Sequence, residues 1–66
     1  MAVNYKVNDQ IVFTQQVDTL TEGTTGKIKR FIGCSCKPDV QGAIIEVDGK
    51  EHVVVKFRNK VSLVNG

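Results

Sequence analysis

No window of a dozen residues in this chain carries apolar side chains at spacings of three and four, so an amphipathic helix has nowhere to form. β-branched residues instead gather into short runs broken by Gly, Pro, Asp and Asn, the residues that turn a chain. Five strands are predicted on this basis, at 10–14, 26–32, 43–47, 51–57 and 61–64. In sequence order they read as an all-β meander within one domain spanning residues 1–66.

The stretch "AIIEVDGKEHVVVKF" is the best-determined link, because Asp48-Gly49 marks a hairpin. Loop length then decides which side chains share a face. A two-residue loop pairs Glu46 with Glu51 and sets Ile45 and Val47 on the same face as Lys50, His52 and Lys56, mixing apolar with charged groups. A three-residue loop with Gly49 in the left-handed bulge position pairs Glu46 with His52. It gathers Ala43, Ile45, Val47, Val53, Val55 and Phe57 on one face. The second register is therefore expected. It leaves Ile44 opposite Val54 on the outer face beside Lys56, an apolar pair outside the core and a candidate contact surface.

Between the strands the loops run long, long, short, short: residues 15–25, residues 33–42, the Asp48 turn and "RNK" at 58–60. "YKVNDQIVF" places apolar Val7 before Asn8-Asp9 and then alternates Ile11 with Phe13. This resembles the apolar-Gly-Asp opening of Src-homology-3-like barrels, with Asn8 where a glycine is usual; Asn tolerates the left-handed backbone such a position needs. "LTEGTTGKI" is similar to the phrase Leu-x-x-Gly-x-x-Gly-x-Val that returns such chains into their second strand. The resemblance spans nearly the whole chain and implies a small five-stranded Src-homology-3-like barrel, with Leu20 plugging it and Gly26 allowing a close turn. Fold relatives of that kind include KOW modules of transcription and translation factors and the barrel subunits that dock beside ferredoxin. Because the shared motifs are glycine and valine spacings, they imply architecture and carry over no binding residue.

With 66 residues, a folded chain buries only about 60% of its unfolded surface, so the core is thin and association with a partner or with further copies of itself stays open. Hydrophobic residues at 41% and charged residues at 24% fit a folded domain rather than a disordered one. The longest apolar run ends at Phe57 and falls far short of the roughly 18 residues of a membrane span. "MAVNYKVND" has no apolar signal core, so the expected location is cytoplasmic, away from membranes. A net charge of +2 permits an anionic partner without demanding one.

"EGTTGK" invites a phosphate-loop reading, but a Walker loop spaces its glycines as Gly-x-x-x-x-Gly-Lys-Ser/Thr and opens a helix. Here only Thr24 and Thr25 separate Gly23 from Gly26, and a strand follows. The Gly-x-x-Gly match to KH domains fails for the same want of helices. Cations are the stronger signal. Lys27 and Lys29 share a face of the second predicted strand, Lys56 and Arg58 a face of the fourth, and Arg30 and Lys60 lie close by. Such a strip suits phosphates or an acidic protein surface, while outward lysine also serves solubility and guards sheet edges. Single-strand stacking has only Tyr5 and Phe31 to offer, because Phe13 and Phe57 fit the core.

Cys34 and Cys36 are weak candidate metal ligands, with His52 and Asp39 as the nearest further donors, and no metal or other cofactor is expected. A bridge between the two cysteines closes a tiny ring and suits a labile, redox-responsive pair better than a structural one. The single histidine, placed opposite Glu46 in the expected register, fits a surface pair, and no pair of carboxylates suggests acid–base work. The expectation is a non-enzymatic adaptor that docks on a larger protein, an acidic one suiting the cations, through Lys27, Lys29, Arg30, Ile44, Val54, Lys56 and Arg58. A KOW-like nucleic-acid-binding module on the same basic residues is the alternative, and a thiol- or metal-dependent module the third.

Overall fold

The computed structural model describes residues 4–34, 36, 37 and 39–64. Its strands are β1 (Gln10–Phe13), β2 (Thr25–Ile32), β3 (Gly42–Val47), β4 (Lys50–Val54) and β5 (Val61–Leu63), with a single 3-10 turn, Phe57–Asn59, between β4 and β5. All five lie in one antiparallel sheet in the order β4-β3-β2-β1-β5. Each of the five expected strands is present. The fourth stops at Val54, short of the expected Phe57, because Lys56 turns into the left-handed region at φ 53° and starts the 3-10 turn. Since β4 and β5 are the two edges of the sheet, no ladder among the described residues closes it into a barrel.

The β3–β4 hairpin corrects the expected register. Val47 pairs with Lys50 and Glu46 with Glu51, leaving a two-residue turn in which Asp48 and Gly49 both have positive φ, 52° and 79°. That is the backbone of a type I′ turn, whose twist matches the twist of the strands it joins. The objection to this register was that Lys50 and His52 share a face with Ile45 and Val47. Position removes it: β4 is an edge strand, so Lys50 stays exposed and His52 half-buried at the margin of the core. Val54 faces inward with 1% of its surface exposed, and the outer partner of Ile44 is Val53.

The core is the inner face of the sheet. Ile11 and Phe13 from β1, Ile28 from β2, Ala43 and Ile45 from β3, Val54 from β4 and Phe57 from the 3-10 turn are sealed from solvent. Val47, Val61 and Leu20 complete the cluster. Leu20 reaches it from the long first loop, where mutual backbone bonds with Val17, 2.8 Å each, pinch the chain into a small hairpin. Asn8 adopts φ 78° and its amide bonds the Ile28 carbonyl at 2.7 Å, tying the entry of β1 to the middle of β2.

Gly26 sits inside β2 opposite Ile11, where backbone approach rather than turning requires a glycine. A Cβ there would lie 2.7 Å from Ile45 Cγ2 and 2.8 Å from the Glu46 carbonyl oxygen. Two residues later β2 bulges: Ile28 faces Ile45 and Arg30 faces Ile44, so Lys29 is the extra residue. Gly26→Ala is expected to lower stability by about 1–3 kcal/mol, because the obstructing atoms include backbone that has no room to yield. A urea midpoint in the variant equal to that of the parent chain would refute this account of the position.

Candidate functional site

Cross-strand partners share a face, so the registers of β2, β3 and β4 map the outer surface row by row. The first row is Lys27, Glu46 and Glu51; the second is Arg30, Ile44 and Val53; the third begins with Ile32 and Gly42. Val55 ends the third row, its Cα 3.6 Å from the place where Gly42 would carry a Cβ. One end of this surface is therefore charged and the other apolar. Val53 and Val55 are 65% and 60% exposed, Ile32 is also exposed, and Ile44 between its neighbours keeps only 8% of its surface. Gly42 contributes no side chain, and its neighbours close in on the place a Cβ would take, with Ile32 Cβ 3.8 Å from it.

The bulge gathers the cations of β2. Lys27 and Arg30 stand on the outer face by register, and Lys29 reaches across the same face to Glu46, with Nζ 3.9 Å from Oε1. Regular alternation would have sent Lys29 and Arg30 to opposite faces. Glu46 and Glu51, two like charges directly opposite each other, are a repulsive pair that needs cations beside it. Lys27 is the other cross-strand partner of Glu46, so part of the basic strip neutralises the sheet's own acids.

Lys56 and Arg58 do not extend that strip. Neither lies on a strand: Lys56 is exposed ahead of the 3-10 turn and Arg58 is within it. Arg58 folds back over the aromatic residues, its Cζ 4.9 Å from the Phe57 ring centre and 5.3 Å from that of Tyr5. Its Nη2 donates a 3.0 Å hydrogen bond to Oε1 of Gln41, a buried amide at the end of the β2–β3 loop. Nε and Nη1 are buried and have no partner among the described residues. Arg58 is thus a cationic clasp between the 3-10 turn and the start of β3. Tyr5 and Phe31, the stacking candidates, both pack against Phe57, with ring centres 5.1 and 5.7 Å away, and the Tyr5 hydroxyl donates to the Val61 carbonyl.

Cys34 and Cys36 lie exposed in the β2–β3 loop and are joined as a disulfide. No group of three or more His, Cys, Asp or Glu that could hold a metal is found among the described residues. His52 pairs with Ile45, not with Glu46 as expected, because of the hairpin register. Ile44 keeps its place on the outer face, Val54 loses it to the core, and Ile32, Val53 and Val55 join it without having been singled out. For Val53 and Val55 the available signal was Asp48-Gly49 itself, which favours the two-residue turn, whereas Ile32 turns outward because of the bulge in β2. For the bond between Gln41 and Arg58 the sequence holds no signal. No family model, curated protein or solved structure matches the chain.

Arg58→Lys is expected to cost about 1–2 kcal/mol, since a lysine keeps the charge but lacks the planar fork that both stacks on the rings and reaches Gln41. Arg58→Met, which keeps the length and removes the unpartnered donors, should cost less. Urea unfolding of both variants checks the order, and a lysine variant as stable as the parent chain would remove the clasp.

Proposed function

We propose that this chain is a non-catalytic binding module that docks on a larger protein through the apolar end of its outer sheet face. Ile32, Ile44, Val53 and Val55 are the contact residues, and Lys27, Lys29 and Arg30 with Glu46 and Glu51 orient the partner. The observation that carries the reading is the succession of four apolar residues over β2, β3, β4 and the turn just after it, next to the edge of the sheet that β4 forms. Isolated exposed valines are ordinary; a contiguous patch beside a charged margin is how protein interfaces are built. The mixed margin suits a partner carrying both signs of charge, which refines the expectation of an acidic one.

The Src-homology-3-like architecture is part of the same proposal. It is supported by the strand order, in which β5 returns beside β1, by the 3-10 turn before β5, and by inner residues sealed from solvent with only loop and turn residues such as Leu20, Tyr5 and Phe57 covering them among the described residues. Curling of the sheet around its own inner face accounts for that burial.

A second reading, a KOW-like nucleic-acid-binding module, is favoured by one observation, the bulge that sets Lys27, Lys29 and Arg30 on one face. The two readings separate in one experiment on isotope-labelled protein. Backbone amide spectra are recorded while single- and double-stranded DNA and RNA are added at low and moderate salt. Salt-sensitive shifts confined to residues 27–30 would move the assignment to nucleic acid. Unmoved spectra are expected. Cross-linking and recovery of partners from cells then tests the patch: Val53→Lys with Val55→Ser should weaken the recovered complex about tenfold, roughly 1.4 kcal/mol. Both side chains are largely exposed, so the unfolding free energy should move by no more than about 0.5 kcal/mol. Full partner recovery by the double variant would dismiss the patch.

A further inference from the structure

The loop between β2 and β3 carries chemistry that docking does not use. Cys34 and Cys36 are bridged across a single intervening residue, and both are exposed. A disulfide stabilises a fold mainly by closing a long loop in the unfolded chain, and a ring this small removes very little of that freedom. Nor does the bridge hold the core together: Gly33, Cys34, Cys36, Lys37, Asp39 and Val40 are all exposed, and among the described loop residues burial resumes at Gln41, which Arg58 anchors. A solvent-facing disulfide that neither staples a loop nor supports a core belongs to the labile, exchange-competent class.

We propose that Cys34 and Cys36 form a thiol–disulfide exchange site whose co-reactant is a small thiol of the glutathione class. The two sulfurs have different roles, because the Cys36 backbone amide donates to Cys34 Sγ at 3.2 Å. A donor aimed at sulfur favours the thiolate, so Cys34 is the better leaving group. A glutathione thiolate attacks Cys36 Sγ; the bond between the two protein sulfurs breaks and its electron pair leaves on Cys34. A second glutathione thiolate attacks the glutathione sulfur of the mixed disulfide, and Cys36 leaves as the second thiolate. The protons given up by the two glutathione thiols end on Cys34 and Cys36. Two electrons pass from the glutathione pair to the protein disulfide, and oxidised glutathione is released. In reverse, oxidised glutathione closes the bridge.

The test equilibrates the full chain in buffers of stepped reduced-to-oxidised glutathione ratio, alkylates free thiols and counts them by mass, with amide spectra recorded at both extremes. Passage between no free thiols and two is expected within the range glutathione spans, with spectral change confined to residues 33–41 and the fold intact. Two variants test the roles. Cys34→Ser should accumulate glutathione on Cys36, while Cys36→Ser, which keeps the amide, should present a Cys34 thiol that alkylates several-fold faster at neutral pH than Cys36 does in Cys34→Ser. A bridge that stays closed in excess reduced glutathione, thiols that stay free in excess oxidised glutathione, or global unfolding on reduction overturns the proposal. Equal alkylation rates overturn the assignment of Cys34 as leaving group. Because none of these readouts involves a protein partner, the outcome is independent of the docking reading.

Discussion

The pairing of β3 with β4 is set by two consecutive left-handed residues, Asp48 and Gly49, and the rest of the molecule's surface follows from them. A side chain's face alternates along a strand, so a turn longer by one residue would exchange the core and solvent faces of β4. With the tight turn, Val54 joins Ile45, Ile11 and Phe57 in the interior, while Val53 stands out beside Ile44. Its cost is small. Lys50 and His52 fall on the inner side of the sheet, but on an edge strand that side has a margin where a polar group reaches water.

Two further local departures shape what the outer face presents. Gly26 lets β3 approach β2 more closely than any side chain would allow. The bulge at Lys29 then shifts the alternation of β2 just where β3 passes, turning Arg30 outward beside Lys27 while Ile28 and Phe31 keep inner positions. Gly26 lies against Ile45 and Glu46, and the bulge lies opposite Ile45 and Ile44 with Lys29 reaching back to Glu46, so close approach on the inside and charge clustering on the outside are neighbouring consequences of how one strand is built. The acids of β3 and β4 meet head-on in this arrangement, and the cations of β2 are what make that tolerable.

At the other end of the fold Arg58 links the 3-10 turn to the end of the β2–β3 loop, a place where an apolar contact would be the ordinary solution. The core is thin, so the aromatic cluster of Tyr5, Phe31 and Phe57 is capped by a guanidinium rather than by a second layer. Stacking on the ring faces and one bond to Gln41 offset the burial of two donors without partners. Ahead of Gln41 the described residues of the β2–β3 loop, Cys34 and Cys36 among them, are exposed, so the disulfide stands apart from the buried cluster.

Strand number and order of appearance were legible in the amino-acid sequence, because β-branched runs broken by turn residues are a local signal. So were the buried roles of Ile11, Phe13 and Phe57 and the outward placement of Ile44 and Lys27, each resting on period or side-chain size. The family resemblance implied the buried Leu20 and the left-handed Asn8, but it assigned Gly26 to a close turn, where the structure uses it for close approach of β3. The partner of Ile44, the gathering of Arg30 with Lys27, and the withdrawal of Arg58 from the basic strip were decided by tertiary structure. A hairpin register is chosen by the sum of both faces, and the penalty for Lys50 and His52 depends on β4 being an edge, which no local pattern states. The bulge answers to the strand beside it, and Arg58 answers to Tyr5 and Gln41, distant in the chain. Sequence by itself determined which residues prefer strands, turns and the interior; only the folded sheet, through the positions of its edges and the long-range contacts of single side chains, decided which of them meet at a surface.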